Sequence, residues 1–444
     1  ESALGKLKKL ASAASGAVSI GFSSILQFNI TSNSDLPNVG LATPGNTDLA
    51  YFIDQPIPAS DLSNSVSQNR RLCYSISYLD PQPRISNNRA MQRRRFWSPF
   101  VALGLGLHLL GCGQEGRDFD IPELGIPLAL AEERAERITD LRYELSFDIP
   151  NALEEGVGGR LTARFVLEDT SAPLVFDFDP AAPNRASAGA FVESVIVGGS
   201  GTDFQLANGH IVIPGADLDL GENTVEIVFR AGEAALTRNP EFLYTLFVPA
   251  LAHTVFPTFD QPDLKGRYSL QLTIPRGWQA LANGIETARE ETRNRVLIRY
   301  AQTEPIPTYL FAFAAGVFEV EEAQRNGRTF RMFHRETDKE KLTRNRDAVF
   351  DLHAAALEQL EDYTGIPYPF GKFDFALIPA FEFGGMEHPG AIFYRDSGIL
   401  LEEAATEQQR LSRASLISHE TSHMWFGDLV TMRWFNDVWM KEVF

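Results

Sequence analysis

The sequence has 444 residues, of which 44% are hydrophobic and 22% are charged, values close to the average for soluble globular proteins. This composition excludes a disordered or fibrous chain, and the length allows about three domains of roughly 150 residues each. The formal net charge of −18 argues against nucleic acid as a partner. Two cysteines are too few for a disulfide scaffold or a four-cysteine zinc site.

The charge is unevenly distributed along the chain. Residues 1–90 hold 7 basic and 6 acidic side chains, and residues 91–111 add three arginines without an acid. Residues 112–444 therefore hold 30 basic and 52 acidic side chains, a net charge of −22. Two different kinds of sequence meet near residue 90. We interpret residues 1–90 as translated upstream sequence, expected to be disordered, and Met91 as the true start.

The segment from Met91 to Gly111 has the pattern of a secretory signal peptide. Three arginines are followed by an uncharged run over residues 96–110 and then by Gly111. A basic start, a short apolar run and a small-residue cleavage site define such signals. Fifteen uncharged residues are too few to span a bilayer core about 30 Å thick, which argues against a permanent transmembrane helix.

Residues 109–112, with the sequence LLGC, resemble a bacterial lipobox. This resemblance implies that Cys112 is lipidated and anchors the mature chain in the membrane. Residues 112–138 are predicted to form a tether, with Gly and acidic residues first and then a short Ala/Glu/Arg stretch that is compatible with a helix. The lipobox resemblance also implies a cell-envelope location, as an outer-membrane lipoprotein facing the periplasm. The alternative for this segment is a buried apolar helix with a core cysteine.

From about residue 139 the hydrophobic pattern has a period of two. Leu141, Tyr143, Leu145 and Phe147 alternate with polar residues, as in a half-buried strand. Similar runs, separated by Gly, Pro, Asn and Asp, follow at 161–167, 174–178, 191–197, 210–213, 224–229, 268–274, 295–300 and 309–320. We therefore predict an N-terminal antiparallel β-sheet domain over residues 139–322.

The pattern after residue 323 mixes helices and strands, which predicts an α/β domain over 323–444. Apolar residues in 339–363 have helical spacing, and Gly365 follows as a stop signal. Residues 373–378 form a predicted strand, and 402–426 has the length of a long helix. Residues 436–444 are predicted to form the next helix.

The motif HETSH occupies residues 419–423, within the predicted helix 402–426. His419 and His423 are four residues apart, so both imidazoles lie on one helical face and can bind one Zn²⁺. Glu420 is rotated by about 100° from His419 and can reach a water at the metal without being a ligand. Glu442 is a candidate third ligand. The alternative is a pair of hydrogen-bonded histidines and an ordinary helix carboxylate.

Residues 419–444, HETSHMWFGDLVTMRWFNDVWMKEVF, resemble the zinc segment of the aminopeptidase N family of gluzincins. The third ligand of that family is a glutamate 19 residues after the second histidine, which is the position of Glu442. Residues 384–388 (GGMEH) resemble the family's exopeptidase motif, and residues 256–265 resemble a segment of its sheet domain. Further matches lie at 308–313 and 363–370, so the resemblance covers about 139–444.

The resemblance implies an α+β multidomain fold. A saddle-like N-terminal β-sheet domain would be followed by the first part of a thermolysin-like α/β zinc peptidase domain, incomplete at residue 444. The implied activity is that of a zinc-dependent aminopeptidase, with one Zn²⁺ per chain, acting on peptides with a free N-terminus.

The resemblance also assigns roles to individual residues. His419, His423 and Glu442 are the implied metal ligands, and Glu420 is the implied general base for the water that Zn²⁺ activates. Glu387 is implied to bind the α-ammonium group of the substrate, since a carboxylate pairs with that cation and rejects blocked termini. The remaining implied substrate-binding residues are Gly384, Gly385, Met386 and His388.

Two departures from the family pattern keep other functions open. Leu246 and Val248 occupy the positions of the family's Gln-x-Glu, whose glutamate helps to bind the amine, and His388 replaces the usual Asn. The family's transition-state tyrosine would lie beyond Phe444, so we expect the 444-residue chain to be inactive or unstable. The alternatives are a zinc endopeptidase or other hydrolase on the same scaffold, and a non-catalytic lipoprotein that binds peptides.

Overall fold

The structure is a computed structural model that describes residues 122–180 and 191–443. Cys112, the predicted upstream segment and the predicted signal peptide lie outside the described residues. The helices in the described ranges are α1 (Leu128–Arg137), α2 (Lys339–Thr364), α3 (Asp396–Ile399), α4 (Glu407–Ser422) and α5 (Trp439–Val443). Within these ranges no helix combines the length and apolar character needed to cross a bilayer.

Twenty β-strands lie in the same ranges. In chain order they are β1 (Ile138–Asp148), β2 (Gly158–Leu167), β3 (Leu174–Asp177), β4 (Val192–Val197), β5 (Ser200–Gly201), β6 (Gln205–Ala207), β7 (His210–Ile213), β8 (Gly221–Arg230), β9 (Leu236–Arg238), β10 (Phe242–Thr245), β11 (Arg267–Pro275), β12 (Gln279–Ala282), β13 (Glu286–Glu291), β14 (Arg295–Tyr300), β15 (Phe313–Gly316), β16 (Glu319–Arg325), β17 (Arg328–His334), β18 (Phe373–Ile378), β19 (Gly385–Met386) and β20 (Ile392–Arg395).

These strands form four sheets. The first half of the described chain holds an eight-stranded sheet in the order β13-β14-β11-β1-β2-β8-β4-β5, a four-stranded sheet β12-β15-β10-β9 and a three-stranded sheet β3-β7-β6. The second half holds a five-stranded sheet in the order β16-β17-β18-β20-β19, which packs with α2 and α4. The result is the mixed α+β fold that the sequence predicts.

The predicted alternation of β1 is confirmed, since Leu141, Tyr143, Leu145 and Phe147 are buried and the residues between them are not. One strand pair in this sheet departs from the predicted antiparallel arrangement. β1 pairs in antiparallel fashion with β2 but in parallel with β11. Parallel neighbours need a long crossover connection, and residues 149–266 supply it.

Other predicted boundaries also change. The run 309–320 is not one strand, because a 3₁₀ turn at Thr308–Leu310 precedes β15 and a break separates β15 from β16. The predicted domain boundary at 322/323 falls inside β16, which pairs with β17 from Glu319 onward. A nearly continuous apolar run does not reveal such breaks, since its periodicity suits a strand or a buried turn equally.

The helices of the second half begin and end at identifiable capping residues. The Asp338 carboxylate accepts hydrogen bonds from the first turn of α2, and Gly365 ends that helix with φ of 68°. The predicted helix 402–426 is shorter in the structure because Thr406 forms a capping box with Gln409 and the chain leaves the helix after Ser422. The predicted helix 436–444 is a 3₁₀ turn followed by α5.

Helix α1 lies within the predicted tether of residues 112–138, in the Ala/Glu/Arg stretch, and it makes buried contacts that a tether would not need. Arg134 of α1 is buried, and its guanidinium donates to both carboxylate oxygens of Asp177 at 2.8 and 2.6 Å. The same group donates to the carbonyl oxygen of Val175 at 2.7 Å, and Asp177 also contacts His210 at 3.1 Å. Residues 128–137 are therefore packed against the sheet domain. A hydrophobicity pattern misses this because two of the three buried residues of α1 are arginines.

His353 in α2 makes the stability of the second half depend on pH. Its ring is fully buried, stacks on Phe375 with ring centroids 4.2 Å apart, and has Nε2 3.2 Å from the Tyr394 hydroxyl. Burial lowers the pKa of His353 to about 4. The unfolded chain, with a pKa near 6.5, therefore takes up the proton first, and this contribution to stability is lost as the pH falls from about 6.5 to 4.

The unfolding free energy of wild type falls between pH 7 and pH 4.5, and we expect this fall to be about 2 kcal/mol smaller in His353→Gln. Urea denaturation at several pH values would measure it. His253→Gln is the matched control, because burial lowers the pKa of His253 but its bond to Asp260 outweighs burial and raises it. That control should change the pH dependence in the opposite direction. Equal slopes for wild type and His353→Gln would contradict the prediction.

Candidate metal centre and substrate cleft

Three candidate ligand atoms converge where α4 ends and α5 begins. His419 lies in the last turn of α4 and His423 caps that helix. Their Nε2 atoms are 3.1 Å apart. Oε2 of Glu442, in α5, lies 3.3 Å from Nε2 of His419 and 3.7 Å from Nε2 of His423. The structure therefore brings together all three predicted metal ligands.

These distances fit a tetrahedral Zn²⁺ site. Bonds of about 2.0–2.1 Å in tetrahedral geometry place ligand atoms about 3.3–3.4 Å from one another. Two imidazole nitrogens and one carboxylate oxygen also form a donor set that leaves a fourth position open to water or substrate. The same donors suit Co²⁺ or Mn²⁺. The residues present therefore fit the implied metal.

The chain orients His423 for metal binding. Its Nδ1 donates to the carbonyl oxygen of Phe426 at 3.0 Å, which leaves Nε2 as the free acceptor that faces the other two ligands. Burial would lower the pKa of His419, but the hydrogen bond to Glu442 outweighs burial and raises that pKa to about 9. A metal must displace this proton, so metal affinity should weaken at acid pH.

Glu420 lies beside the predicted metal ligands, and its carboxyl packs against Gly385 of strand β19. A Cβ atom on Gly385 would come within 2.5 Å of the Glu420 carboxyl, so glycine at position 385 makes room for that group. Ligand atoms of Glu420, Glu387 and His423 lie within 4.8 Å of one another. Burial, with the charges of Glu387 and Glu442, raises the pKa of Glu420 to about 8 despite the opposing effect of His419. A carboxylate with this proton affinity suits a general base near neutral pH.

Glu387 follows β19 and is also buried, in an ion pair with the ammonium group of Lys441. Burial alone would raise the pKa of Glu387, but Lys441 and His423 outweigh it and hold that pKa well below its usual range. Lys441 Nζ also lies 5.1 Å above the ring of Tyr309 and 3.6 Å from Oε1 of Glu442. Lys441 is not among the residues predicted from the sequence to form the site, although its position next to Glu442 was a signal.

The rest of the predicted substrate segment lies on or beneath the edge strand β19. Gly385 and Met386 pair with Tyr394 and Phe393 of β20, so the other edge of β19 has no neighbouring strand in its sheet. The side chains of Met386 and His388 are buried, and burial lowers the pKa of His388 to about 3. These two side chains therefore pack in the interior beneath β19, whereas the backbone of Gly384 and Gly385 is accessible at the surface.

Side chains of the sheet domain hold the loops around the site. Tyr309 donates through its hydroxyl to the carbonyl oxygen of Gly427 at 3.3 Å. Lys265 donates through Nζ to the carbonyl oxygens of Asp428 and Leu429 at 2.9 and 3.0 Å. The amide of Asn283 donates to the carbonyl oxygen of Pro389 at 3.0 Å. The sequence does not single out any of these three residues, because each donates its hydrogen bond to a loop more than 100 positions away along the chain.

The two residues that depart from the family's Gln-x-Glu pattern do not contribute to this chemistry. Val248, at the position of the family's second amine-binding carboxylate, is partly buried and packs against the sheet-domain core, as does Leu246. Tyr394 is fully buried, and its hydroxyl lies 3.2 Å from Nε2 of His353.

Comparison with known proteins gives independent matches. Residues 236–310 match the Peptidase M1 N-terminal domain, and residues 349–444 match the Peptidase family M1 domain. The chain is 30% identical over 336 residues to aminopeptidase N of Streptomyces lividans, a match that covers 71% of this chain and 36% of that protein. It is 31% identical over 268 residues to probable aminopeptidase 2 of Sulfurisphaera tokodaii, covering 58% of this chain and 33% of that protein.

A third match is aminopeptidase M1 of Arabidopsis thaliana, with 34% identity over 206 residues, 45% of this chain and 22% of that protein. The β-sheet domain and the start of the α+β domain that carries this ligand cluster therefore match both models of the M1 class of metallopeptidases. These models and relatives support the predicted aminopeptidase N family, and the observed sheets and helices confirm the predicted α+β fold. It spans about a third or less of the length of these relatives.

Proposed function

We propose that the protein to which this chain belongs is a zinc-dependent aminopeptidase, which hydrolyses the N-terminal residue from peptides with a free N-terminus. The observation that carries this proposal is the convergence of His419, His423 and Glu442, with ligand atoms no more than 3.7 Å apart, beside the buried carboxyl of Glu420. The nearby carboxylate of Glu387 supplies the means of recognising an amine.

The proposed mechanism divides the work among the residues of the cleft. A bound Zn²⁺ would polarise the scissile carbonyl and acidify the attacking water. Glu420 takes the proton from that water as general base and returns it to the leaving amine. Glu387 pairs with the α-ammonium group and so measures off one residue. The free edge of β19 can pair with an extended peptide backbone.

A second candidate function is a zinc endopeptidase or other hydrolase on the same scaffold. Two observations favour it over a strict aminopeptidase. Val248 supplies no second carboxylate for the amine, and Glu387 is already paired with Lys441. A non-catalytic peptide-binding lipoprotein is a weaker candidate, because peptide binding alone does not need three ligands and a base in one place.

The decisive experiment is an assay of the gene product extended to its natural stop codon. An aminoacyl reporter and its N-acetyl counterpart would be compared before chelation, after chelation and after zinc is added back. Cleavage of the free-amine reporter alone, lost on chelation and restored by zinc, supports the aminopeptidase. Cleavage of the acetylated reporter supports the endopeptidase, and zinc binding without any cleavage supports the binding protein.

Membrane anchoring through Cys112 and a location in the bacterial outer membrane, facing the periplasm, remain proposals from the sequence pattern. Mass spectrometry of the native protein would test them, with a lipidated N-terminal peptide starting at Cys112 as the expected result. Detection of any peptide from residues 1–90 would contradict the proposed start at Met91.

A further inference from the structure

The ammonium group of Lys441 contacts the carboxylate of Glu387, the residue proposed to bind the amine of the substrate. These two groups form an ion pair, and the two side chains are only 6% and 5% exposed. The ring of Tyr309 covers the ammonium at 5.1 Å, and Oε1 of Glu442 lies 3.6 Å away on another side. Lys441 is therefore held inside the cleft and does not extend into solvent.

We propose that Lys441 is a specificity-determining residue that competes with the substrate's α-ammonium group for Glu387. The free N-terminus then contributes less to substrate binding than an unpaired Glu387 would provide. This inference rests on the proposed function, since it presumes that Glu387 faces the substrate's amine.

The competition between Lys441 and the substrate's amine is electrostatic. Two cations beside one buried carboxylate repel each other, and solvent and salt screen buried charges poorly. The other acidic groups around Lys441 are Glu420, Glu442 and Asp428. In the proposed mechanism Glu442 binds the metal and Glu420 takes a proton from the attacking water. Neither carboxylate is therefore available to pair with the incoming amine as Glu387 is.

The sheet domain supplies no second carboxylate for the amine at positions 246 and 248, where the family has Gln-x-Glu. Leu246 and Val248 carry no charge and pack against the core. The cleft therefore holds one predicted amine-binding carboxylate and, once a peptide enters, two ammonium groups that compete for it.

The test uses Lys441→Met in the zinc-loaded gene product extended to its natural stop. We expect KM for the free-amine reporter to fall about 10-fold, and the ratio of kcat/KM for free over acetylated reporter to rise by a similar factor, as befits a close buried charge pair. Lys441→Gln, a polar replacement, should shift the ratio in the same direction if Lys441→Met folds poorly. Lys339→Met, at an exposed lysine at the start of α2, is the matched control and should leave the ratio unchanged.

A double-mutant cycle ties the effect to Glu387. In a Glu387→Gln background, Lys441→Met should no longer raise the ratio of free over acetylated substrate, because the contested carboxylate is gone. Binding of leucinamide and of N-acetylleucinamide, measured by calorimetry, provides a readout that needs no turnover. Lys441→Met should tighten the binding of leucinamide only.

The outcomes separate this inference from the function on which it rests. If wild type prefers the free-amine reporter but Lys441→Met and Lys441→Gln leave that preference unchanged or weaken it, Lys441 does not compete and this inference alone is overturned. If zinc-loaded wild type cleaves neither reporter and binds neither amide, the proposed function fails and the inference falls with it.

Discussion

Glu420→Gln is expected to lower kcat/KM of the full-length gene product by about 10²–10⁴-fold, the range typical of a lost general base. Glutamine has nearly the same shape as glutamate, so it preserves the packing against Gly385. It cannot take a proton from the attacking water. The three ligands remain, so bound zinc should stay at one per chain.

The measurement is kcat/KM for the free-amine reporter together with zinc content by atomic absorption. Glu407→Gln is the matched control, because Glu407 lies exposed in the first turn of the same helix. That control should retain wild-type activity. If the kcat/KM of Glu420→Gln is within 10-fold of the wild-type value, Glu420 is not the general base. Loss of zinc together with activity would instead assign Glu420 to metal binding.

Arg134→Met should destabilise the protein by about 3–5 kcal/mol, the range for breaking one side of a buried ion pair. Arg134 and Asp177 are each 1% exposed, so the substitution leaves the Asp177 carboxylate buried without its strongest partner. Burial alone would raise the pKa of Asp177, but Arg134 and His210 outweigh burial and hold it well below its usual range. The ion pair therefore stabilises the folded chain at all pH values above the unfolded pKa near 4, and that stability is lost as the pH falls.

Urea denaturation at pH 7, followed by circular dichroism, would measure the change. Arg164→Met is the matched control, because Arg164 pairs with Glu144 on the exposed face of the same domain, with both side chains 52% exposed. It should cost no more than about 1 kcal/mol. Equal costs for the two arginines would show that α1 is not fastened through Arg134. The double variant Arg134→Met with Asp177→Asn should recover part of the loss, since it removes the stranded charge.

The Arg134 contact shows what a periodicity argument cannot reach. Whether an arginine is buried depends on its partner, and Asp177 lies 43 residues further along the chain. The pairing of β1 with β11 has the same character, because alternation identifies a strand and its buried face but not its neighbour. The break between β15 and β16 stays hidden for a related reason, since the residues from Phe313 to Phe318 are all apolar or small.

The sequence by itself placed the two predicted histidine ligands together, because a spacing of four residues puts His419 and His423 on one helical face in any α-helix. Glu442 was predicted through the family resemblance. The sequence also determined α2, whose caps Asp338 and Gly365 act through local hydrogen bonds and local backbone geometry. Only the tertiary structure decided that Lys441 neutralises Glu387. The two residues are 54 positions apart, and their ion pair exists because α5 and β19 meet at the same cleft.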